Sequence, residues 1–398
     1  MRSAQFAAAV AAFAGFAAAK TCTKDIEISE PTPVIDCDVV DADITVKESV
    51  AGALSIEGPK QLKGDLIINN ASNILSISSS SINSIGGRLE FQALNSLNSI
   101  NMDSLESVKE IVMKKLTALQ TITFGSDTVT KAESVEITDT DLSSLSGLML
   151  TSVKDLNINN NDRLTKFDSA LVNVTGQLLI NSNGRDMEIT LNDLETASEI
   201  QIGNVKTFEV PKLSVVKASL KFDQCDKLES FNAPNLTKIT DALAFINNKK
   251  LSNVTFPKLT EIGGDLRIVN NTELTEITGF PKLESAASIN FGGNFEDIEM
   301  PKLDRVSGTA EVSTTSTKDD FCKFFEKADS DGVIRGGADC TFDNKDANQG
   351  GETKGGRKTD GSSSSSDNSG DNEDAAGIVG VNTALMGLAL IAGVAQLL

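Results

Sequence analysis

Residues 243–271 read LAFINNKKLSNVTFPKLTEIGGDLRIVNN and contain one whole repeat with the start of the next. The stretch opens on Leu243-Ala244-Phe245, two apolar residues flanking one that points the opposite way. Leu266-Arg267-Ile268 does the same one repeat later. Such alternation marks a short strand buried on one face. Two further apolar pairs, Leu251/Val254 and Leu259/Ile262, and a proline, Pro257, lie between.

The pattern extends both ways. Leu66/Ile68, Leu89/Phe91, Ile111/Met113, Val135/Ile137, Leu156/Ile158, Leu178/Ile180, Ile200/Ile202 and Leu220/Phe222 precede it; Ile289/Phe291 and Ala310/Val312 follow, with a weaker unit at Ile44/Val46. First members of successive pairs from Leu66 onward are 20 to 24 residues apart. A period near 22 sustained this long implies a solenoid, each coil burying its apolar edge against its neighbours. The expected fold is an all-β-dominated solenoid, β-helix or leucine-rich-repeat-like, of about 12 coils. Successive strands ~4.8 Å apart would give a rod on the order of 60 Å long.

The second and third apolar pairs, such as Leu228/Phe231 and Leu236/Ile239, imply coils of roughly three sides, with Leu-x-x-Ile crossing a bent or loosely helical segment. Pro211, Pro234, Pro257, Pro281 and Pro301 share one phase of the repeat. Proline lacks a donor and fixes φ, so this phase is a corner. Asparagine follows the strand at Asn69-Asn70, Asn159-Asn160-Asn161, Asn247-Asn248 and Asn270-Asn271. It tolerates the left-handed backbone of a corner, and its side chain can bond the next asparagine in a ladder.

A solenoid has raw ends that need covers. Cys22 and Cys37 precede the first unit, and Cys322 and Cys340 follow the last. Adjacency favours two local disulfides, Cys22–Cys37 and Cys322–Cys340, with other pairings open. Cys225 is left over and reads as a small buried residue. Asp319 to Ala328, with Phe321, Phe324 and Phe325, reads as a capping helix.

The termini read as addresses. In residues 1–19, MRSAQFAAAVAAFAGFAAA, Arg2 precedes an apolar run that ends in Ala17-Ala18-Ala19, a signal-peptide pattern. The expected solenoid domain is 20–342, followed at 343–369 by a flexible stalk rich in Ser, Gly and Asp. Residues 370–398 read as a removed GPI-attachment signal, with Asn368, Ser369 or Gly370 as the lipid-bearing residue. Asn70, Asn173, Asn235, Asn253 and Asn270 lie in Asn-x-Ser/Thr sequons, the N-glycosylation signal of a secreted chain.

Composition narrows the chemistry. The 398 residues carry 36 Lys+Arg against 56 Asp+Glu, a formal charge of −20, which disfavours nucleic acid. Histidine is absent, so Ser/His and Cys/His nucleophile pairs are excluded and no cofactor or metal site is expected. Carboxylate-only catalysis survives this cut, but no dyad stands out. Asp329-Ser330-Asp331-Gly332 matches only part of a calcium loop, whose twelfth position would be Ala338. The middle residues of the L-x-I strands, among them Glu136, Arg267 and Glu311, would form an outward sheet face. It is either ordinary solvated surface or a docking face for a polymer or protein.

GDLIINNASNILSIS at 64–78, DLNINNNDRLTKF at 155–167, the 243–271 stretch and DGVIRGGADC at 331–340 resemble the fungal GPI-anchored cell-wall organisation proteins. This is the extracellular-mutant and sporulation-specific family, whose ectodomain is similar to the receptor L-domain. The likeness covers nearly the whole chain and departs from the family pattern in a shorter stalk, poorer in Ser and Thr. It implies a non-enzymatic role in cell-wall organisation and integrity at the outer leaflet of the plasma membrane and in the wall. The partners would be the GPI lipid, the glucan and mannoprotein matrix, and surface proteins on the sheet face. A receptor-like binding module and a carboxylate-based glucan-modifying enzyme are the alternatives.

Overall fold

The computed structural model describes residues 19–124, 129–130 and 132–349. They form a parallel β-solenoid. Leu243 pairs with Leu220 on one side and Leu266 on the other, and Phe245 with Phe222 and Ile268. The same register runs through Leu66, Leu89, Ile111, Val135, Leu156 and Leu178 to Ile200. All twelve expected rungs and the weaker Ile44/Val46 are present. Two more extend the column: Ile26/Ile28 before Ile44/Val46, and Ala338/Cys340 beyond Ala310/Val312. From Ile44/Val46 to Ala310/Val312 the inward residues are shut off from solvent, Leu66, Leu89, Leu178, Leu243 and Leu266 among them at 0% exposure, while Ile26 and Ala338 in the two end rungs are half-buried. Aromatic residues thicken the later coils, where Phe222 and Phe245 stack with centroids 5.0 Å apart and Phe256 and Phe280 at 5.2 Å.

The other two sides differ from the bent or loosely helical segments expected of Leu-x-x-Ile. They are short parallel strands. The second side carries a four-stranded sheet over Gly52–Ser55, Ile74–Ser78, Ser99–Met102 and Thr121–Phe124. Smaller sheets follow, such as Ser230–Asn232 with Asn253–Thr255. In each pair the leucine fills the corner and the later residue sits in the strand. The physical reason is backbone satisfaction: a coil stacked on a coil pairs its N–H and C=O groups with its neighbours, which a lone helical turn does not achieve. On the third side, strands such as Lys238–Ile239 join the main sheet, which counts 24 strands among the described residues. The five repeat-phase prolines all lie in turns, as expected.

At the asparagine corner, every coil from Asn70 to Asn270 places one non-glycine residue left-handed, with φ between 51° and 59°. The residue after it points inward, and there a ladder forms. Asn161, Asn248 and Asn271 are each 0% exposed. The Asn248 side chain and backbone N–H both donate to Oδ1 of Asn271 at 3.0 Å, while Nδ2 of Asn271 donates to the carbonyl of Phe245 at 2.9 Å.

Both ends are closed as expected. Cys22 bonds Cys37 and Cys322 bonds Cys340, with Cα atoms 5.9 Å and 5.4 Å apart. The helix spans Asp320–Ser330 and buries Phe321, Cys322, Phe325 and Ala328. Phe321 stacks on Phe295 at 5.5 Å, so the helix seals the apolar column. Packing continues past Phe342: Asn344 and Ala347 are buried, and Nδ2 of Asn344 donates to Ser313 Oγ at 2.8 Å. Residues 1–18 of the signal-peptide pattern, the stalk from 350 onward and the attachment residues Asn368, Ser369 and Gly370 lie outside the described residues.

Candidate functional site

The residue between the two inward members of each rung points outward, so these residues align in one column up the main sheet. Arg267 lies beside Ala244 and Asn290, and Glu136 beside Val112 and Asn157. Close stacking leaves most of the column half-buried, and Glu90 and Ala244 are 9% and 7% exposed. In the early coils the charges pair both within a rung and across rungs. Arg88 Nη1 lies 2.6 Å from Glu90, whose other oxygen accepts from Asn69 Nδ2 at 2.6 Å, and Lys114 pairs with Glu136 at 2.7 Å. Burial alone would raise the Glu90 carboxyl pKa. It is instead held below the usual carboxylate value, because the Asn69 and Arg88 hydrogen bonds and the Arg88 and Lys114 charges together outweigh burial.

The three charges singled out from the sequence do not converge. Six rungs separate Glu136 from Arg267, about 29 Å at ordinary strand spacing. Glu136 is neutralised by Lys114. Arg267 has a buried Nε without a hydrogen-bond partner among the described residues, and Glu311 is exposed. Sequence reasoning missed a depression of about 100 Å³ over Gly203 on this face, edged by Leu179, Gln201, Lys221 and Asp223. Its signal was present in the series: Ile200 to Leu220 is the shortest spacing, at 20 residues. Among the described residues no group of three or more His, Cys, Asp or Glu is placed to hold a metal ion.

The sequons lie off this face. Asn253 is exposed on the second side. Asn173 lies on the third side, where its Oδ1 accepts from Thr196 Oγ1 at 2.6 Å. Asn235, at the proline corner, donates from Nδ2 to the Pro211 carbonyl at 2.7 Å. Asn70 and Asn270 occupy the left-handed corner; Asn70 is exposed, whereas Asn270 donates from Nδ2 to Asn247 Oδ1 at 3.0 Å and has a buried Oδ1. The outward column of rung middle residues therefore holds no sequon asparagine.

The cell surface GPI-anchored protein of Arthroderma benhamiae is 31% identical to this chain over 334 residues, covering 83% of it and 85% of the relative. The chain belongs to the Ecm33 family of fungal cell-surface proteins. Within the family, protein ecm33 of Aspergillus fumigatus is 31% identical over 76% of this chain and 75% of its own length. Sporulation-specific protein 2 of Saccharomyces cerevisiae is 31% identical over 77% of this chain and 61% of its own. No family model and no solved structure matches the chain. Family membership places the protein at the cell surface and in the cell wall, with a role in the wall.

Proposed function

We propose that the chain acts without catalysis, as a stiff glycosylated rod held by a GPI lipid that orders glucan and mannoprotein in the wall. The observation that carries this reading is the unbroken apolar column from Ile28 to Val312, stapled at both ends by disulfides. A solenoid of this kind resists bending because every coil is clamped between two others. The sequons on its flanks and corners support a sugar-coated scaffold. Deleting the gene should sensitise cells to wall-binding dyes, and re-expression should restore resistance; unchanged sensitivity would remove the proposal.

A second reading, a receptor-like module for a wall polymer or peptide, is favoured by the sequon-free column of rung middle residues and by the buried Arg267 Nε, which has no hydrogen-bond partner among the described residues. It expects Arg267→Glu to abolish capture of wall material while the thermal midpoint holds. A carboxylate-based glucan-modifying enzyme is the weakest reading. Glu90 and Glu110, neighbouring carboxylates on the face, both lie against Arg88. Incubating the purified chain with β-glucan should yield no new reducing ends.

A further inference from the structure

Beside the depression on the sheet face lies a larger notch at the asparagine corner, and both adjoin one shortened coil. In the following coil, Phe222 is succeeded by Cys225, Leu228 and Phe231 at steps of three. In the short coil, Ile202 is followed only by Val205 and Phe208. Phe208 still reaches its place, pairing with Ile189 and stacking 6.1 Å from Phe231. The three residues that elsewhere form the corner turn are missing, and buried Val205 alone fills the space that Cys225 and Leu228 share one coil later.

The gap has a volume of about 440 Å³. Asp162, Arg185 and Asp186 wall it on one side, and Gln224, Asp226 and Lys227 on the other. Lys227 and Asp186 form an ion pair across it, although 41 residues separate them. Some polar groups are engaged: Asn204 Nδ2 donates to the Gln224 carbonyl at 3.2 Å, and one Asp226 oxygen accepts from Lys249 at 2.9 Å. The Asp162 carboxylate, the Arg185 guanidinium, the Gln224 amide and the second Asp226 oxygen are solvent-exposed and make no side-chain hydrogen bond among the described residues, and Arg185 acts on Asp186 through its charge alone. Across the ridge formed by Ser182, Asn204 and Gln224 lies the Gly203 depression. Glycine keeps the depression open there: a Cβ would sit 2.3 Å from Asn181 Oδ1 and push that side chain aside.

The lining selects a ligand class. Three carboxylates against two cations repel a polyanion. Leu179 and Val205 are the only large apolar side chains in the two linings apart from Ile202, too little for the apolar anchor of a peptide. Unpaired acceptors beside unpaired donors match hydroxyl groups, each of which donates and accepts. The volume falls in the range of small-ligand sites, roughly 300–1,000 Å³. We infer that the notch and depression together bind a segment of a neutral hexose polymer laid across the corner. The site deepens the scaffold reading by giving the rod a contact with the wall, and it rests on that reading for the presence of its ligand.

The test uses the full chain purified from the cell surface in detergent, titrated with β-glucan and α-mannan oligosaccharides by calorimetry. At least one series should bind. Binding of β-glucan alone identifies wall polysaccharide as the source, and binding of mannan alone identifies glycoprotein sugar. The Arg185→Ala/Asp226→Ala double variant should weaken binding at least tenfold with an unchanged thermal midpoint. Inserting Asp-Lys-Leu after Val205 should fill the notch with the same result; should that insertion misfold, Gln224→Ala gives an independent reading. No saturable binding of either series, or undiminished affinity in the folded double variant, would overturn the site. Neither result touches the dye-sensitivity experiment, so the two ideas fail separately.

Discussion

The backbone N–H of Cys225 donates to Oδ1 of Asn248 at 2.8 Å, as the N–H of Asn248 donates to Oδ1 of Asn271 at 3.0 Å. Cys225 thus stands in an asparagine's place on the ladder. Its Sγ lies 3.6 Å from the Ile202 carbonyl, where Nδ2 of Asn248 reaches the matching carbonyl of Phe222 at 3.3 Å. Burial pushes the thiol up from its ordinary value of 9.0 to about 12. The unfolded chain therefore ionises first. The stability gained by keeping the thiol neutral is fully present below pH 9.0 and lost as pH rises toward about 12. Cys225→Asn should extend the ladder, raise stability by ~1 kcal/mol and flatten the alkaline side of the pH–stability curve. Urea titrations across that range check it, and native Cys225 should resist iodoacetamide until the chain unfolds.

Asn271 uses both ends of its amide in the ladder. Its Oδ1 accepts from both nitrogens of Asn248, and its Nδ2 donates to the carbonyls of Phe245 and Val269. Asn271→Ala strands these groups away from water, at a cost of roughly 2–5 kcal/mol, since each buried unpaired group costs about 1–3 kcal/mol. The fall in urea midpoint should exceed that of Asn160→Ala on the same corner, which removes an exposed side chain. Equal effects would show the ladder to be ornamental.

Much of this architecture is legible in the sequence, because a solenoid repeats its own evidence. Leu66, Leu156 and Leu266 could be aligned by spacing alone, and the strands place them in one sheet. The secondary structure of the second side was not legible. Leu228-x-x-Phe231 reads equally well as a helical turn or as a corner followed by a strand, and only coil-to-coil pairing decides between them. The terminal rung Ala338/Cys340 escaped because Asp320–Ser330 interrupts the period before it. The Gly203 hollow escaped because a missing turn leaves no motif, only a shorter interval.

The sequons should differ in use. Sugar is added to the nascent chain, so burial acts afterwards, by deciding which modified chains fold. A glycan on Asn270 would take its Nδ2 away from Asn247 and need room at a half-buried corner. A glycan on Asn253 meets solvent at once. Peptide mapping of secreted protein should find Asn253 occupied and Asn270 bare. Asn270→Gln should leave the glycoprotein's mass unchanged, while Asn253→Gln should reduce it by one chain. Full occupancy at Asn270 would show that the corner opens enough to accept sugar.

Removing the C-terminal staple should damage one end alone. Cys322 and Cys340 are 18 residues apart, and closing a loop of that size contributes ~3 kcal/mol in the chain-entropy model. Cys322 lies on the helix and Cys340 in the last rung, so the bond ties the cap to the sheet. Phe321 and Phe325 would still pack on Phe295 and Phe291, at 5.5 Å and 6.1 Å, which keeps the cap in place at rest but lets it open more often. Because each coil touches only its neighbours, the opening spreads inward over a few coils and fades. Hydrogen exchange of the Cys322→Ala/Cys340→Ala variant should therefore lose protection in strands near Phe291, Val312 and Cys340, with little change around Leu66 and Leu89. A uniform loss along the chain would mean that the coils unfold as one cooperative unit, and that the rod's stiffness comes from global cooperativity rather than from stacked neighbours.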